Sequence, residues 1–528
     1  MPWSSGDSLN STNLNRRGYG ASGIYNVKEY GAVSDASTDD AAAIRSAIAA
    51  ASAGGTVFLP AGIYRVNSPL TLSSDIVLEG SGHSSLLSLG ANTNRGVISV
   101  SSANNVRITN LALVGNASVF TGTGNIGISG ATGGYYNIAI DNVSIDSFAG
   151  DGISMLATAG GSRATNISII NCSIRSTGAH GIVCQDAVDN VRITNSDVQD
   201  WGLGVEDRIG IVIGRSASNQ IVANNHIFST NTGAQQGTSV HGISVDSTEK
   251  ATIVGNTVNG CVGYGIECGF IHGGTIFGNV VYQPTRAGIA LSGNGVKVNK
   301  FLAVNSNSIV SGNNQGIYGF VTAASGTSHE DITINSNVVR GCRNIGIQLE
   351  HIKNFTCNDN VVSNCSLSGI YLTTHERGVV TGNRLSGNNT ANNAAHGGLR
   401  ILTTAADSTK SIMVRNNYVT DSNQRDLFYT EGGTLISERN IAGAATPSVA
   451  LEDGYKITNA SNTTITNFLD GHEGQIITLQ FVDSNTTVKY TNNVIELSGA
   501  ADFSPTADDT LTLRNIAGVW VEVSRTAI

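Results

Sequence analysis

A glycine followed by an isoleucine recurs along the middle of the chain, and each pair opens a short stretch in which apolar and polar residues alternate. The glycines occupy positions 127, 152, 181, 210, 242, 265, 288, 316, 346 and 369, and Gly398 precedes a leucine instead. Alternation with a period of two is typical of a β-strand with one buried face. Since the spacing varies while the strand pattern stays constant, the repeat predicts a solenoid whose turns differ in length.

A second motif, apolar-x-small-Asn-x-apolar, falls between successive Gly-Ile pairs, for example at residues 253–258 and 276–281, so each repeat carries at least two strands. One of its positions is asparagine throughout: Asn225, Asn256, Asn279, Asn307, Asn337, Asn360, Asn383 and Asn417. Stacked asparagines exchange amide hydrogen bonds and tolerate a left-handed backbone, which indicates a structural ladder. A column expected to point inward contains Phe148, Trp201, Cys261, Cys342 and Cys365.

The composition suits many strands joined by tight turns, with 63 Gly, 6 Pro and only 13% charged residues among 528. A net charge of −9 argues against nucleic acid as the main partner. The chain has no run of 18 apolar residues and no recognisable signal peptide, so we expect no membrane insertion. Seven cysteines without a CxxC motif predict buried thiols. Neither a metal nor another cofactor is expected.

Three motifs near the start carry a family resemblance: YNVKEYGAV at 25–33, TDDAAAI at 38–44 and GGTVFLPAGIY at 54–64. Together they resemble the N-terminal module of the pectate-lyase-like superfamily, which includes phage tailspikes, mannuronan epimerases and many polysaccharide lyases and hydrolases. The resemblance is close over residues 23–80, and in character the chain is most similar to tailspike depolymerases. It implies an all-β fold, a right-handed parallel β-helix, with a helix bearing Ile44 and Ile48 over the first coil. Asp39 and Asp40, at the start of that helix, are interpreted as structural.

We therefore expect three regions. Residues 1–22 resemble the attachment peptides of phage tail proteins, which implies a possible link to a virion or tail. Residues 23–445 form the parallel β-helix, with 23–80 as its capped N-terminal module. Residues 446–528 read as a small β-rich module similar to those that assist trimerisation of tailspikes, so the resemblance implies a homotrimer that is extracellular or virion-associated.

Candidate chemistry comes from the outward columns of the Gly-Ile strands. Because the isoleucine points inward, the residues one and three positions beyond it point outward. Asp246 lies in one such column between Gly214 and Gly269, which leaves a hollow around the acid. Glu267 is one coil and two residues away, roughly 8 Å between Cα atoms. This separation permits either retaining or inverting glycoside hydrolysis, with Asp246 and Glu267 as the catalytic pair, although both acids could instead be solvated surface charges.

Further residues are expected to bind the polysaccharide. Arg215 and Tyr264 lie close to the acids, and an aromatic and polar stretch follows downstream: Tyr318, Phe320, Gln348, Glu350, His351 and Tyr371. Aromatic faces stack on sugar rings, but β-forming residues that merely cover a strand edge fit this stretch equally well. A secondary candidate zone comprises Asp186, Glu206, Asp207 and Arg208. His241, beside Gly242, is expected to pack inward.

Two alternatives to an endo-acting glycoside hydrolase remain. The segment Tyr264-Gly265-Ile266-Glu267 resembles the Tyr-Gly-aromatic-Asp segment of mannuronan epimerases, which implies a polysaccharide lyase or uronate C5-epimerase. Gly269 stands where that family has histidine and Ser292 where it has aspartate, so the likeness supports the location more than the reaction. A non-catalytic carbohydrate-binding spike is the third possibility.

Overall fold

The computed structural model describes residues 23–526, apart from 53, 93–95, 132–133, 158–162, 204–207, 231–239, 295, 311, 323–326, 394, 403–411, 416, 421–426, 431–438, 442–443, 448, 450–453 and 470. The chain divides into two compact units with the boundary between Phe355 and Thr356, and each unit is described by itself. The expected attachment peptide, residues 1–22, lies outside the described residues.

Two helices follow the first described strand, Gly23–Asn26. A 3-10 helix, Val27–Tyr30, is followed by the α-helix Ala41–Ala50, which packs against it. The buried side chains of the α-helix are Ala41, Ile44, Ala47 and Ile48. Asp40 does not cap the helix with its side chain; its carboxylate accepts hydrogen bonds from the backbone N–H groups of Val33 and Ser34, at 2.6 and 3.0 Å. Asp40 is therefore a structural acid. Rather than capping the helix, its side chain fastens the preceding loop to the start of the helix.

Parallel strands stack into three faces along this unit, as a right-handed parallel β-helix requires, and the predicted fold is confirmed. Face A contains the strands that follow the Gly-Ile pairs, preceded by two strands without such a pair. Its strands are Leu70–Thr71, Gly96–Ser99, Ile126–Gly130, Ile153–Leu156, Ile182–Gln185, Ile266–Gly269, Ile289–Asn294, Ile317–Thr322 and the beginnings of Ile211–Ala223, Ile243–Val254 and Ile347–Asn358.

Face B follows face A in most coils: Gly23–Asn26, Gly55–Leu59, Ile76–Gly80, Ala164–Ile170, Val188–Thr194, His272–Phe277, Lys300–Asn305, His329–Asn335, the beginnings of Asn104–Val114 and Tyr136–Asp146, and the later parts of Ile211–Ala223 and Ile243–Val254. Face C closes the coil: Asp35–Asp39, Gly62–Val66, Ser85–Leu89, Ser173–Arg175, Asp197–Gln199, His226–Phe228, Thr257–Asn259, Val280–Tyr282, Ser308–Val310, Val338–Arg340 and the ends of Asn104–Val114 and Tyr136–Asp146.

The second unit contains further coil strands and a separate mixed sheet. Its coil strands are Val361–Ser363, Ile370–Thr381, Arg384–Ser386, Leu399–Leu402, Ile412–Arg415, Tyr418–Thr420 and Leu427–Thr430. The six strands of the mixed sheet are Arg439–Ile441, Gly454–Ile457, Ile476–Phe481, Ile495–Glu496, Thr510–Ile516 and Val519–Thr526. A small parallel pair, Thr463–Ile465 with Thr486–Val488, and the 3-10 helix Ser498–Ala500 complete the described elements. The described residues contain no helix long and apolar enough to cross a membrane.

The Gly-Ile recurrence has a steric cause. On face A the isoleucines pair directly from coil to coil, as Ile211, Ile243 and Ile266 do, and all are buried. A Cβ atom on Gly242 would lie only 2.7 Å from the carbonyl oxygen of Gly265. A Cβ on Gly265 would approach the next coil equally closely. Glycine at these positions therefore allows the backbones of adjacent coils to stack closely.

The buried asparagine ladder is present in the first unit from Asn225 to Asn337. Each Nδ2 donates to the Oδ1 of the next ladder asparagine at 2.9–3.0 Å. The left-handed conformation, however, belongs to the preceding residue, such as Asn224 or Ser306, each with φ 56°. We expected it at the ladder position itself. The ladder asparagine instead uses its amide to hold the turn that the preceding residue makes.

A second, exposed asparagine ladder escaped the sequence analysis. Its members are Asn105, Asn137, Asn166, Asn190 and Asn219. Their amides are joined at 2.8–3.1 Å, and their own φ angles lie between 52° and 59°. The two ladders thus share a pattern but differ in burial.

We expect Asn279→Ala to destabilise the protein strongly. The change removes the acceptor for the Asn256 backbone N–H, at 3.0 Å, and the donor to the Ile253 carbonyl, at 2.9 Å. Each buried polar group left without a partner costs about 1–3 kcal/mol, so the free energy of unfolding falls by roughly 3 kcal/mol or more. Denaturant titration measures this loss. Asn166→Gly, in the exposed ladder, is the matched control and costs less than about 1 kcal/mol, because water replaces the lost amide and glycine keeps the backbone conformation. Equal losses in the two variants would contradict the role of burial.

Candidate functional site

The expected acidic pair lies on adjacent coils of face A. Asp246 pairs with Gly214 on one side and Gly269 on the other, while Glu267 pairs with Ser244. A Cβ on Gly269 would lie 3.2 Å from the Asp246 Oδ1 atom, so glycine leaves the space beside the carboxyl open. An open cavity of about 540 Å³ lies over both acids. The arrangement of columns and glycines is the one that the repeat predicts.

Asp246 is held in an environment that favours its protonated form. Burial raises the pKa of Asp246 above its ordinary value, and the neighbouring charge of Glu267 raises it further. A hydrogen bond from the Ser247 hydroxyl, at 3.0 Å, and the positive charges of Arg215 and Lys297 oppose that shift without cancelling it. Asp246 therefore keeps its proton to a higher pH than an aspartic acid in water.

Glu267 is surrounded by hydrogen-bond donors. Its Oε2 atom accepts from the Ser244 hydroxyl at 3.1 Å, and its Oε1 atom accepts from the Ser292 hydroxyl at 3.2 Å. The Nε2 atom of His241 lies 3.3 Å from Oε2. An arrangement in which both oxygens accept suits an ionised carboxylate. The two acids therefore differ in their surroundings, although they lie on neighbouring strands.

His241 is packed, as expected, but it also reaches the site. The residue is buried, and its ring stacks on Tyr264 with the centroids 5.0 Å apart. Its Nδ1 atom accepts a hydrogen bond from the Tyr264 backbone N–H at 2.9 Å. In the neutral ring the proton must then be on Nε2, which faces Glu267. Sequence alternation indicated the burial but not this contact across the coils.

Tyr264 lies between His241 and a cation that the sequence analysis missed. The guanidinium of Arg286 lies 4.5 Å from the centre of the Tyr264 ring, and both residues line the cavity. Burial raises the pKa of the Tyr264 hydroxyl, and Arg286 offsets this only in part. A signal for Arg286 did exist, because it precedes its Gly-Ile pair by two residues, as Arg208 does.

Part of the expected binding stretch forms a connected group. The Tyr318 and Phe320 rings stack at 4.6 Å, and Phe320 also lines the cavity. The Tyr318 hydroxyl donates to the Glu350 Oε2 atom at 3.4 Å, while Gln348 Nε2 donates to Oε1 at 2.6 Å. His351, the next residue, has a left-handed backbone with φ 53°.

Tyr371 belongs to the second unit. Within that unit the Arg400 guanidinium lies 4.7 Å from the centre of its ring. Its place in a binding surface shared with the other candidates therefore stays a prediction.

The remaining candidates are less closely tied to the acids. Arg215 lines the cavity, but its ion-pair partner is Asp186, at 3.8 Å, on the preceding coil. Arg208 places its Nη1 atom 3.3 Å from the Nε2 atom of His180. Glu206 and Asp207 lie outside the described residues. Across the described part of the chain, no group of three or more His, Cys, Asp or Glu side chains is arranged to hold a metal ion.

Comparison with family models agrees with this architecture. Residues 24–267 match the model described as rhamnogalacturonase A/epimerase, pectate lyase-like, and residues 241–409 match the right-handed β-helix region. The resemblance stated from the N-terminal motifs is thereby confirmed.

Curated relatives match only a short segment. The mannuronan C5-epimerases AlgE3 and AlgE4 of Azotobacter vinelandii are each 48% identical over 67 residues, which is 11% of this chain. Alginate lyase 7 of the same organism is 45% identical over a segment of equal length. This segment spans only 4%, 12% and 8% of the three relatives, respectively.

Several solved structures align with this chain at low identity. Pre-mature gene product 12 of bacteriophage phi29 aligns with a TM-score of 0.50 and 16% identity, covering 83% of this chain and 62% of that protein. The Dettilon tailspike protein aligns with a TM-score of 0.46 and 14% identity, covering 93% and 76%. The GH87 α-1,3-glucanase of Streptomyces thermodiastaticus aligns with a TM-score of 0.47 and 16% identity, covering 77% and 72%. At these identities the phi29 likeness shows the fold alone.

The raised pKa of Asp246 predicts a pH-dependent effect on stability. An acid whose pKa is higher in the folded state stabilises the fold below its unfolded pKa, near 4, and loses that contribution as the pH rises through the folded value. We therefore expect Asp246→Asn to melt at a higher temperature than the wild type at pH 7, with the difference shrinking towards pH 4. Thermal unfolding at both pH values measures the effect.

Asp197→Asn is the control for this measurement. Asp197 is exposed and lies 3.4 Å from the Nδ1 atom of His226. Its removal is not expected to raise the melting temperature at pH 7. A gain for Asp246→Asn that is larger at pH 4 than at pH 7 would have the wrong sign and would refute the assignment of a raised pKa.

Proposed function

We propose that this pectate-lyase-like right-handed β-helix degrades a polysaccharide, as an endo-acting glycoside hydrolase of the tailspike type. One observation supports the proposal above all others. Two carboxyl groups, Asp246 and Glu267, lie on adjacent coils beneath one open cavity and have unlike surroundings.

Glycoside hydrolysis requires this inequality, because one carboxyl group must donate a proton while the other acts as a base or nucleophile. Asp246 is the proposed general acid, since burial lets it retain the proton that the glycosidic oxygen needs. Glu267 is the proposed base or nucleophile, oriented by Ser244, Ser292 and His241.

Room for the substrate supports an endo-acting enzyme. Glycine at 214 and 269 leaves space beside Asp246 for a sugar ring, and the cavity is open to solvent. The stacked rings of Tyr318 and Phe320 extend an aromatic surface from the same cavity. Such faces pack against the C–H surfaces of sugars, so a long chain can lie across the site with residues bound beyond the cleaved bond.

A lyase or C5-epimerase is the second candidate, because the curated relatives include mannuronan C5-epimerases and an alginate lyase. That chemistry needs a base to remove a proton next to a uronate carboxylate. Burial raises the pKa of Tyr264, which keeps its hydroxyl protonated, and His241 uses Nδ1 to accept a backbone hydrogen bond. Neither is well prepared to act as the base, which favours the hydrolase. A carbohydrate-binding spike without catalysis is the third candidate.

Incubation with a panel of polysaccharides separates these classes. A hydrolase produces reducing ends without the ultraviolet absorbance of an unsaturated uronate, a lyase produces both, and a binding spike or an epimerase produces neither. On a cleaved glycan, Asp246→Asn and Glu267→Gln are each expected to lower turnover by roughly 10² or more, because positioned proton transfer contributes about 10²–10⁴ in rate.

The isosteric change Asp197→Asn removes an exposed carboxylate on face C and is expected to leave turnover unchanged. Cleavage at wild-type rates by both site variants would move the reaction centre elsewhere.

We also propose a homotrimer that acts outside the cell or on a virion. The mixed sheet of the second unit exposes four large apolar side chains at its strands and turns: Ile476, Val482, Ile516 and Val523. In the proposed trimer these side chains contribute to the contact between the chains, since contiguous apolar patches mark protein–protein interfaces.

Light scattering on the full chain is expected to give three times the mass of the 54.6 kDa chain. Val523→Glu is expected to shift that mass towards the monomer, whereas Val296→Glu, at an exposed apolar residue of the first unit, is not. A monomeric wild type would refute the proposal.

A further inference from the structure

A second cavity lies around the corner of the coil from the candidate active site. Its volume is about 790 Å³, and Phe270 lines both cavities. Asp246 lines the first cavity, and the next two residues, Ser247 and Thr248, line the second. The turn occurs because Ser247 adopts a left-handed conformation, with φ 48°, between face A and face B. The two cavities are therefore neighbours across one corner.

Cations are prominent in the second cavity. Lys297 is exposed, and its Nζ atom lies 5.9 Å from the centre of the Phe270 ring. Among the described residues, no carboxylate lies within ion-pair distance of Lys297. Lys300 also lines the cavity, but it lies 3.0 Å from Glu330. Arg163 forms an ion pair with Asp189.

The acids of the cavity do not face Lys297 as ion-pair partners. Asp189 accepts hydrogen bonds from Arg163 Nη2 at 2.6 Å and from the backbone N–H of Ser218 at 2.7 Å, so its charge is already engaged. Glu249 is exposed and lies across the strand register from His272. Lys297 is therefore a cation available to a ligand, in a chain whose net charge is −9.

The pairing of Phe270 with Lys297 suits an acidic sugar. An aromatic side chain provides a face for the C–H surface of a sugar ring, while an ammonium group receives a carboxylate or sulfate. The volume is in the range of about 300–1,000 Å³ that is usual for ligand sites. A small inorganic anion would use the cation alone and would leave the aromatic face and most of this space unused.

We infer that the second cavity is a subsite for a sugar residue that carries a carboxylate or sulfate, with Phe270 against its ring and Lys297 against its charge. The inference rests on the proposed function, because it places this residue one corner away from the bond cleaved at Asp246 and Glu267. The substrate is thus an acidic polysaccharide. Lys297 acts in binding, and Phe270 connects the two cavities.

Binding rather than turnover tests the inference, because Lys297 also lowers the pKa of Asp246 and its removal alters catalysis. The probes are polygalacturonate and alginate, which carry carboxylates, dextran sulfate, and neutral dextran. Affinity electrophoresis with the full chain bearing Glu267→Gln, which keeps the probe intact, gives each dissociation constant. We expect at least one acidic probe to bind, and neutral dextran not to bind.

Two further substitutions in that background identify the site. Lys297→Gln is expected to weaken binding of the acidic probe about tenfold and to flatten its dependence on salt, since exposed charges are screened over about 8 Å at 0.15 M ionic strength. Phe270→Leu is expected to weaken binding while leaving the salt dependence as it was. Lys250→Gln, an exposed lysine of the strand Ile243–Val254 that lines neither cavity, is the matched control and is expected to change nothing.

The outcomes separate this inference from the proposed function. Failure of all three acidic probes to bind, or equal effects of Lys297→Gln and Lys250→Gln, overturns the subsite. If wild-type protein cleaves a neutral glycan and no acidic one, the subsite fails while the hydrolase proposal stands. Binding that depends on Lys297 without any cleavage by the wild type leaves the subsite in place and overturns the hydrolase. A preference for dextran sulfate over both uronates identifies the charge as sulfate, and the reverse identifies a carboxylate.

Discussion

The close stacking of one backbone coil on the next is the constraint on which the rest of the first unit depends. At Gly242 and Gly265 the carbonyl oxygen of the next coil lies only 2.7 and 2.6 Å from the place where a Cβ atom would be, so a larger residue would push the coils apart. The same contact fixes the register, because Ile211, Ile243 and Ile266 can then align only with one another. A slip by one residue would turn every buried side chain of the strand outward.

This register brings together groups that are distant in the chain. Glu267 pairs with Ser244 rather than with Asp246, so the two acids meet diagonally across adjacent strands. The offset gives them different neighbours: Asp246 lies between glycines and is partly buried, whereas Glu267 receives hydrogen bonds from both adjoining coils. The unlike surroundings of the two acids, including the burial that raises the pKa of Asp246, thus follow from the position of each residue in the stack.

The corners between the faces shape the two cavities as much as the faces themselves do. Residues such as Arg215, Ser247 and Phe270 adopt left-handed conformations there and redirect the chain from face A to face B. Because successive coils turn at the same place, the corner becomes a ridge with a cavity on each side. Phe270 lies on this ridge and lines both cavities.

The sequence by itself determined the fold class, the inward columns and the placement of Asp246 and Glu267 on neighbouring coils. Alternation shows which residues of a strand point inward, and the recurring Gly-Ile pair shows which residues of successive coils are aligned. It also revealed the buried asparagine ladder, but it misplaced the left-handed residue by one position. Only the tertiary structure decided that buried His241 reaches Glu267, that Arg286 lies over Tyr264, and that Lys297 stands beside Phe270 in a second cavity. These contacts are made at the corners between the faces, where the turns differ in length from coil to coil. No fixed spacing in the sequence therefore shows which side chains of neighbouring coils meet there.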